Sequence, residues 1–87
     1  MAVVFLPATL RSLADGQEQI EVEAQSVREV IQQLEISFPG MESRLRDGNR
    51  LRPGMQVVVG DSVSSLGLLT PVAPDDEVHF LPAIGGG

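Results

Sequence analysis

The 87-residue sequence has no cysteine, lysine, tryptophan or tyrosine, and a single histidine, His79. Without cysteine there is no disulfide framework, no thiolate metal site, and no cysteine nucleophile or persulfide. One histidine falls short of the three or four ligands that a zinc site uses. With lysine and tyrosine missing as well, most acid–base and covalent catalytic sets cannot be assembled. Positive charge is also scarce. Six arginines stand against twelve acids, for a net charge of −6 and a pI of about 4.5. That balance disfavours nucleic acid, whose binding relies on basic residues displacing counterions, and it disfavours anionic membrane surfaces. It favours partners with basic surfaces, mainly through faster encounter. No apolar run approaches the ~18 residues of a membrane span, and no basic segment leads into an apolar stretch as in a secretion signal. The expectation is a cytoplasmic protein with neither a nucleic-acid nor a membrane partner.

What is present fits one globular domain. Hydrophobic residues make up 43% and charged residues 21% of the chain, and a chain of this length buries only about 60–65% of its unfolded surface, enough for one modest core. Ala2–Leu6 (AVVFL) is continuously apolar and β-branched, which predicts a strand covered on both faces. PATLRSLADG follows, with room for a helical turn before Asp15-Gly16. Gln19–Ala24 alternates Ile20 and Val22 with Glu21 and Glu23, the pattern of a half-buried strand near an edge.

The strongest signal is helical. Ser26 and Glu29 form a capping box, Val27, Val30, Ile31, Leu34 and Phe38 mark one face, and Pro39-Gly40 stops the helix. MESRLR allows one or two further helical turns before a polar turn at Asp47-Gly48-Asn49. Met55–Val59 is the next strand, Ser62-Val63 a short return strand, Leu66–Val72 a proline-broken connection, and Glu77–Leu81 the last strand. This order predicts an α+β β-grasp domain, a mixed four- to five-stranded sheet covered by one main helix. The first and last strands then lie side by side in the middle, and the chain leaves the sheet at the end of the last strand.

The sequence finishes FLPAIGGG. Glycine has no Cβ and admits close approach of another backbone, so three terminal glycines suit threading into a narrow site. From Ala83 to Gly87 an extended chain reaches roughly 15–18 Å. A terminal carboxylate, with a pKa of about 3.5, is ionised at neutral pH and inert to nucleophiles until it is activated, for example as an acyl-adenylate.

FLPATLR, the capped helix SVREVIQQLEISFPG, SRLRD, PDDEV and the end HFLPAIGGG resemble the ubiquitin-like sulfur carrier family. Its members include the small subunit of molybdopterin synthase, the thiamine sulfur carrier and the carrier of a thiocarboxylate route to cysteine. The resemblance spans essentially the whole chain, and its most specific part is Gly86-Gly87 directly after a final strand. Gly85 stands where members commonly carry a small residue such as alanine. The resemblance implies a body at 1–82 and a delivering tail at 83–87, with no cofactor bound by the protein itself. A ubiquitin-activating-type enzyme would use ATP to adenylate Gly87, with Gly85 and Gly86 giving access. Sulfur from a persulfide donor would make a thiocarboxylate, which a sulfur-acceptor synthase would consume. The protein would be a substrate of enzymes, with no catalytic residues. The alternative is a ubiquitin-like modifier joined through Gly87 to lysines of other proteins.

Other features carry two readings each. Val4, Leu6, Val58 and Leu81 are placed by alternation on the sheet face away from the helix, either as a docking patch or beneath the Leu66–Val72 connection. His79 is either a partner contact on that face or a solvated histidine. Arg44, Arg46, Arg50 and Arg52 with Asp47 give residues 44–52 a charge of +3, leaving −9 on the rest; that window is either an anion or partner contact or a solvated loop. Gly60-Asp61-Ser62 and Asp76-Glu77-Val78-His79 echo two blocks of a serine esterase family, but the chain is far too short for that domain.

Overall fold

The computed structural model describes Met1–Pro82. In chain order its elements are β1 (Ala2–Phe5), a 3₁₀ helix (Ala8–Ala14), β2 (Gln19–Val22), α1 (Val27–Ser37) and a one-turn α2 (Glu42–Leu45). The two-residue strands β3 (Arg46–Asp47) and β4 (Arg50–Leu51) follow, then β5 (Met55–Val59), β6 (Ser62–Val63), a 3₁₀ turn (Gly67–Leu69) and β7 (Glu77–Pro82). The main sheet runs β2-β1-β7-β5-β6, with β3 and β4 paired separately. β1 and β7 are parallel, Val4 beside Val78 and Phe5 beside His79. All other pairs are antiparallel. This is the ubiquitin-like β-grasp, with the first and last strands central as the order of elements predicted.

One face of the sheet carries the core. Val27, Val30, Ile31 and Leu34 of α1 are buried against a floor that includes Val4, Val57, Val78 and Phe80. At about 1.5–3 kcal/mol for each fully buried aliphatic or aromatic side chain, this face accounts for most of the favourable free energy. The Ser26 Oγ accepts the N–H of Glu29 at 3.2 Å, while the Glu29 carboxylate accepts the N–H of Gln25 at 3.0 Å rather than that of Ser26. The reach-back therefore lands one residue earlier than a capping box predicts. At the other end Gly40 has φ of 100°, a conformation that a Cβ would strain. Its N–H donates to both oxygens of Glu35, and the N–H of Glu42 donates to the same carboxylate at 2.9 Å.

The face assigned to β1 needs correction. Ala2, Val4 and Leu6 are buried on the helix side, with Val4 fully inaccessible, so Val4 and Leu6 do not belong to the outer face. The outward residues of β1 are Val3 and Phe5, which are half-buried. The physical reason is the pairing with β2, where Ala2 lies opposite Val22 and Val4 opposite Ile20. The inward side chains of the two strands must share one face. The Leu66–Val72 connection also lies on the helix side. Leu68 and Val72 are part of the core, and Val27 and Val72 exchange backbone hydrogen bonds with Thr70 and Gln25.

Candidate functional site

β7 is buried at Val78 and Phe80 and turns His79 and Leu81 outward. Across the sheet, Phe5 lies beside His79, His79 opposite Val58, and Val58 opposite Val63. These four residues form a row over four strands on the face without the helix. Leu81, 41% exposed, lies opposite Gln56 one step nearer the end of β7. Val58, His79 and Leu81 therefore meet on the outer face, and Val4 and Leu6 are replaced there by Phe5 and Val63. The Phe5 and His79 rings stack face to face, 4.2 Å between centroids and 1° from parallel. The His79 Nε2 lies 3.3 Å from the Glu77 carboxylate. This fixes the imidazole over the apolar row with one nitrogen turned to an acid.

The row continues into a cleft of about 400 Å³ at the end of the sheet, walled by Phe5, Pro7, Thr9, Arg11, His79 and Leu81, with Leu6, buried on the helix side, and Glu18 also lining it. Pro7 and Thr9 come from the start of the first 3₁₀ helix, whose entry is fixed by the N–H of Leu10 donating to the Pro7 carbonyl at 2.9 Å. Arg11 is tied to the same end, with Nε donating to the Leu6 carbonyl at 3.3 Å and Nη1 lying 4.0 Å from Glu18. The cleft opens beside Pro82, the last residue of β7, which lies opposite Met55. Chain positions 83–87 continue from this point. Gly85, Gly86 and Gly87, and the division at 82/83, lie at or beyond the edge of the described residues.

The esterase-like blocks do not form a catalytic pair. Ser62 lies opposite Val59, which packs against the core, whereas His79 is in the outward row. The serine and the histidine are thus on opposite faces of one sheet. The Asp76 carboxylate accepts the N–H of Ala73 at 2.9 Å and holds the turn before β7. Among the described residues no group of three or more His, Cys, Asp or Glu side chains is placed to hold a metal ion, and no helix is long and apolar enough to cross a membrane. What the site offers is a half-apolar surface with a chain end leaving beside it, suited to a partner protein.

The model of the ThiS family matches residues 4–87. Sulfur carrier protein CysO of Mycobacterium tuberculosis (strain ATCC 25618 / H37Rv) and that of Mycobacterium bovis are each 33% identical over 89 residues, covering 97% of this chain and 96% of theirs. In the crystal structure of the Amycolatopsis orientalis BexX/CysO complex, the matching chain is 29% identical with a TM-score of 0.91, each chain covered completely. The crystal structure of Mycobacterium tuberculosis CysO gives 30% identity and a TM-score of 0.88 over 97% of this chain and 100% of that one. The small archaeal modifier protein 1 of Methanosarcina acetivorans shares the fold, at 23% identity and a TM-score of 0.78 over 99% and 95%.

Proposed function

Because this chain belongs to the ThiS family and is a homologue of sulfur carrier proteins, we propose that it carries sulfur as a thiocarboxylate on Gly87. A ubiquitin-activating-type enzyme joins the Gly87 carboxylate to AMP from ATP and releases pyrophosphate. The terminal sulfur of a persulfide then attacks the acyl carbon and expels AMP. A thiol breaks the resulting S–S bond, becomes part of a disulfide, and leaves the thiocarboxylate. An acceptor synthase takes that sulfur, and water cleaves the acyl carbon–sulfur bond and supplies the oxygen that restores the carboxylate.

Residues 1–82 are the docking body and 83–87 the delivered segment, Gly85 and Gly86 letting the enclosing backbones come close. Phe5, His79, Val58 and Val63 are the docking row, with Leu81 beside it. The protein is a substrate and catalyses none of these steps. It binds no cofactor of its own, and the ATP-dependent activation places the cycle in the cytoplasm. The pathway is cysteine biosynthesis, on the strength of the CysO relatives, with molybdopterin as the second candidate acceptor route. A complex between a CysO and BexX in Amycolatopsis orientalis supports a carrier that works through protein partners.

The observation that carries this reading is a family match that runs to Gly87 itself, in a chain that has no cysteine to hold sulfur in any other way. The test is the intact mass of the protein purified from its host without reductant or alkylation. We expect a fraction heavier by one oxygen-to-sulfur exchange, localised to Gly87. An unshifted free protein, with a second pool joined through Gly87 to lysines of other proteins, would overturn the proposal in favour of a modifier.

A further inference from the structure

β1 and β7 do not end together. Their parallel pairing stops at Phe5 beside His79, while β7 continues against β5 to Pro82 opposite Met55. β1 has by then turned through Pro7 into the first 3₁₀ helix, so the last residues of β7 lack a neighbouring strand on that flank. The cleft of about 400 Å³ is the step left by this departure, and its lining is mainly apolar, with Phe5, Leu6, Pro7, Leu81 and Pro82 among the walls. Leu6 and Pro7 are buried, and the Phe5 ring is held by its stack on His79, so these walls are preformed. Arg11 and Glu18, also in the lining, lie 4.0 Å apart.

Five residues follow Pro82 in the sequence: Ala83, Ile84 and three glycines. They lie outside the described residues, and the length of chain fixes what can reach the cleft. Threading into a narrow site explains the glycines and gives no role to Ile84, a large apolar side chain in the middle of the delivered segment. Ile84 is two residues from Pro82, about 7 Å of chain, and Pro82 is itself a wall of the cleft. So short a tether holds the side chain at an effective concentration on the order of millimolar, and burial there removes its apolar surface from water. The terminal carboxylate is a poorer occupant, because Glu18 already stands beside Arg11.

We propose that the cleft seats the side chain of Ile84, so that the free carrier holds the base of its own tail against the body. Only Gly85, Gly86 and Gly87, about 10 Å of extended chain, then project, against roughly 15–18 Å for the whole segment. A protein that docks on the Phe5–His79 row adjoins the cleft and displaces Ile84 as it binds, which couples docking to release of the tail. That coupling rests on the proposed activation of Gly87. The seat does not, and it is tested on the carrier alone.

The experiment uses the full-length carrier in dilute solution, with carbon-13 in the δ1 methyl groups of isoleucine, read by NMR. Ile20, Ile31, Ile36 and Ile84 give four signals, and I84V identifies the last by its loss. The Ile84 methyl should stand away from its free-chain position and show nuclear Overhauser contacts with Phe5, Pro7 and Leu81. F5S, which opens one wall, should return it to the free-chain position, while the Ile31 methyl in the core stays in place and reports an intact fold. I84G, which leaves the body untouched, should shift the amide signals of Thr9 and Arg11 and spare those of Glu21 and Glu29. Added NaCl should change none of this, because the contact is apolar. A wild-type Ile84 methyl at the free-chain position would overturn the seat. So would contacts with residues away from the cleft, or contacts that appear only as concentration rises and therefore join two copies. A displacement abolished by salt would put the terminal carboxylate on Arg11 and overturn it as well. A seated Ile84 in a carrier that no enzyme activates would overturn the proposed function and leave the seat standing. An activated carrier with a free Ile84 would do the reverse.

Discussion

At the residue scale the decisive feature is parity in β1. In Ala2–Leu6 every side chain is apolar, so alternation carries no sign and the strand alone cannot say which residues face the helix. The sign came from elsewhere. Ile20 and Val22 alternate with glutamates and so declare their inward face, and the register with β2 transmits it to Ala2 and Val4. Assigning Val4 and Leu6 to the outer face missed this coupling, and with it Phe5, the outer face's largest apolar side chain, stacked on His79. His79 and Leu81 were legible because Val78 and Phe80 flank the histidine. Two substitutions separate the faces. Val4→Ala removes fully buried methyl groups and should cost about 2–3 kcal/mol, read from the urea midpoint. Phe5→Ser should cost about 1 kcal/mol, mostly the lost ring stacking, yet it should raise KM for the carrier in the activation assay. The opposite ranking of stability losses would return Val4 to the surface and Phe5 to the core.

At the element scale, legibility followed the number of residues that repeat a signal. α1 has a cap, four buried positions at helical spacing and a Pro-Gly stop, all of which agree. β3 and β4 have two residues each, too few for any period, so only the turn at Asp47-Gly48-Asn49 was visible. The joint between α1 and α2 was invisible for another reason. Glu35 reads as one more polar residue of α1, but its carboxylate accepts the N–H groups of Gly40 and Glu42 across the loop. It satisfies donors that the start of a one-turn helix leaves open. Glu35→Ala should therefore destabilise the fold by about 1–2 kcal/mol, while Glu35→Gln, which keeps an acceptor, should lose less. Equal losses for the two would mean that the charge of the carboxylate, which glutamine lacks, holds the joint. Because α2 precedes the arginine hairpin, Glu35→Ala should also speed amide exchange through residues 40–47.

At the scale of the whole molecule, the proposed function separates the body from the chemistry. The buried hydrophobic residues run from Ala2 to Phe80, and β7 completes its pairing with β5 at Pro82 opposite Met55. The parallel contact of β1 with β7 spans only Glu77–His79. The order of elements made this arrangement legible, since a final strand in the middle of a sheet releases the chain at the end of the sheet, beside whatever the neighbouring strands place there. Here they place the Phe5–His79 row and the cleft walled by Pro7 and Arg11. Removing Gly86 and Gly87 subtracts no buried side chain and no strand pairing of the described residues. The truncated protein should keep its unfolding midpoint to within about 0.5 kcal/mol of stability. It should still compete with the full chain for the activating enzyme, because the proposed docking row remains. It should support no ATP–pyrophosphate exchange, since under the proposed function its last carboxylate would fall two residues, about 7 Å of extended chain, short of where activation occurs. A truncated protein that is still adenylated would show that the terminus is not positioned by its distance from the docked body, and the division between docking body and delivered tail would fail with it.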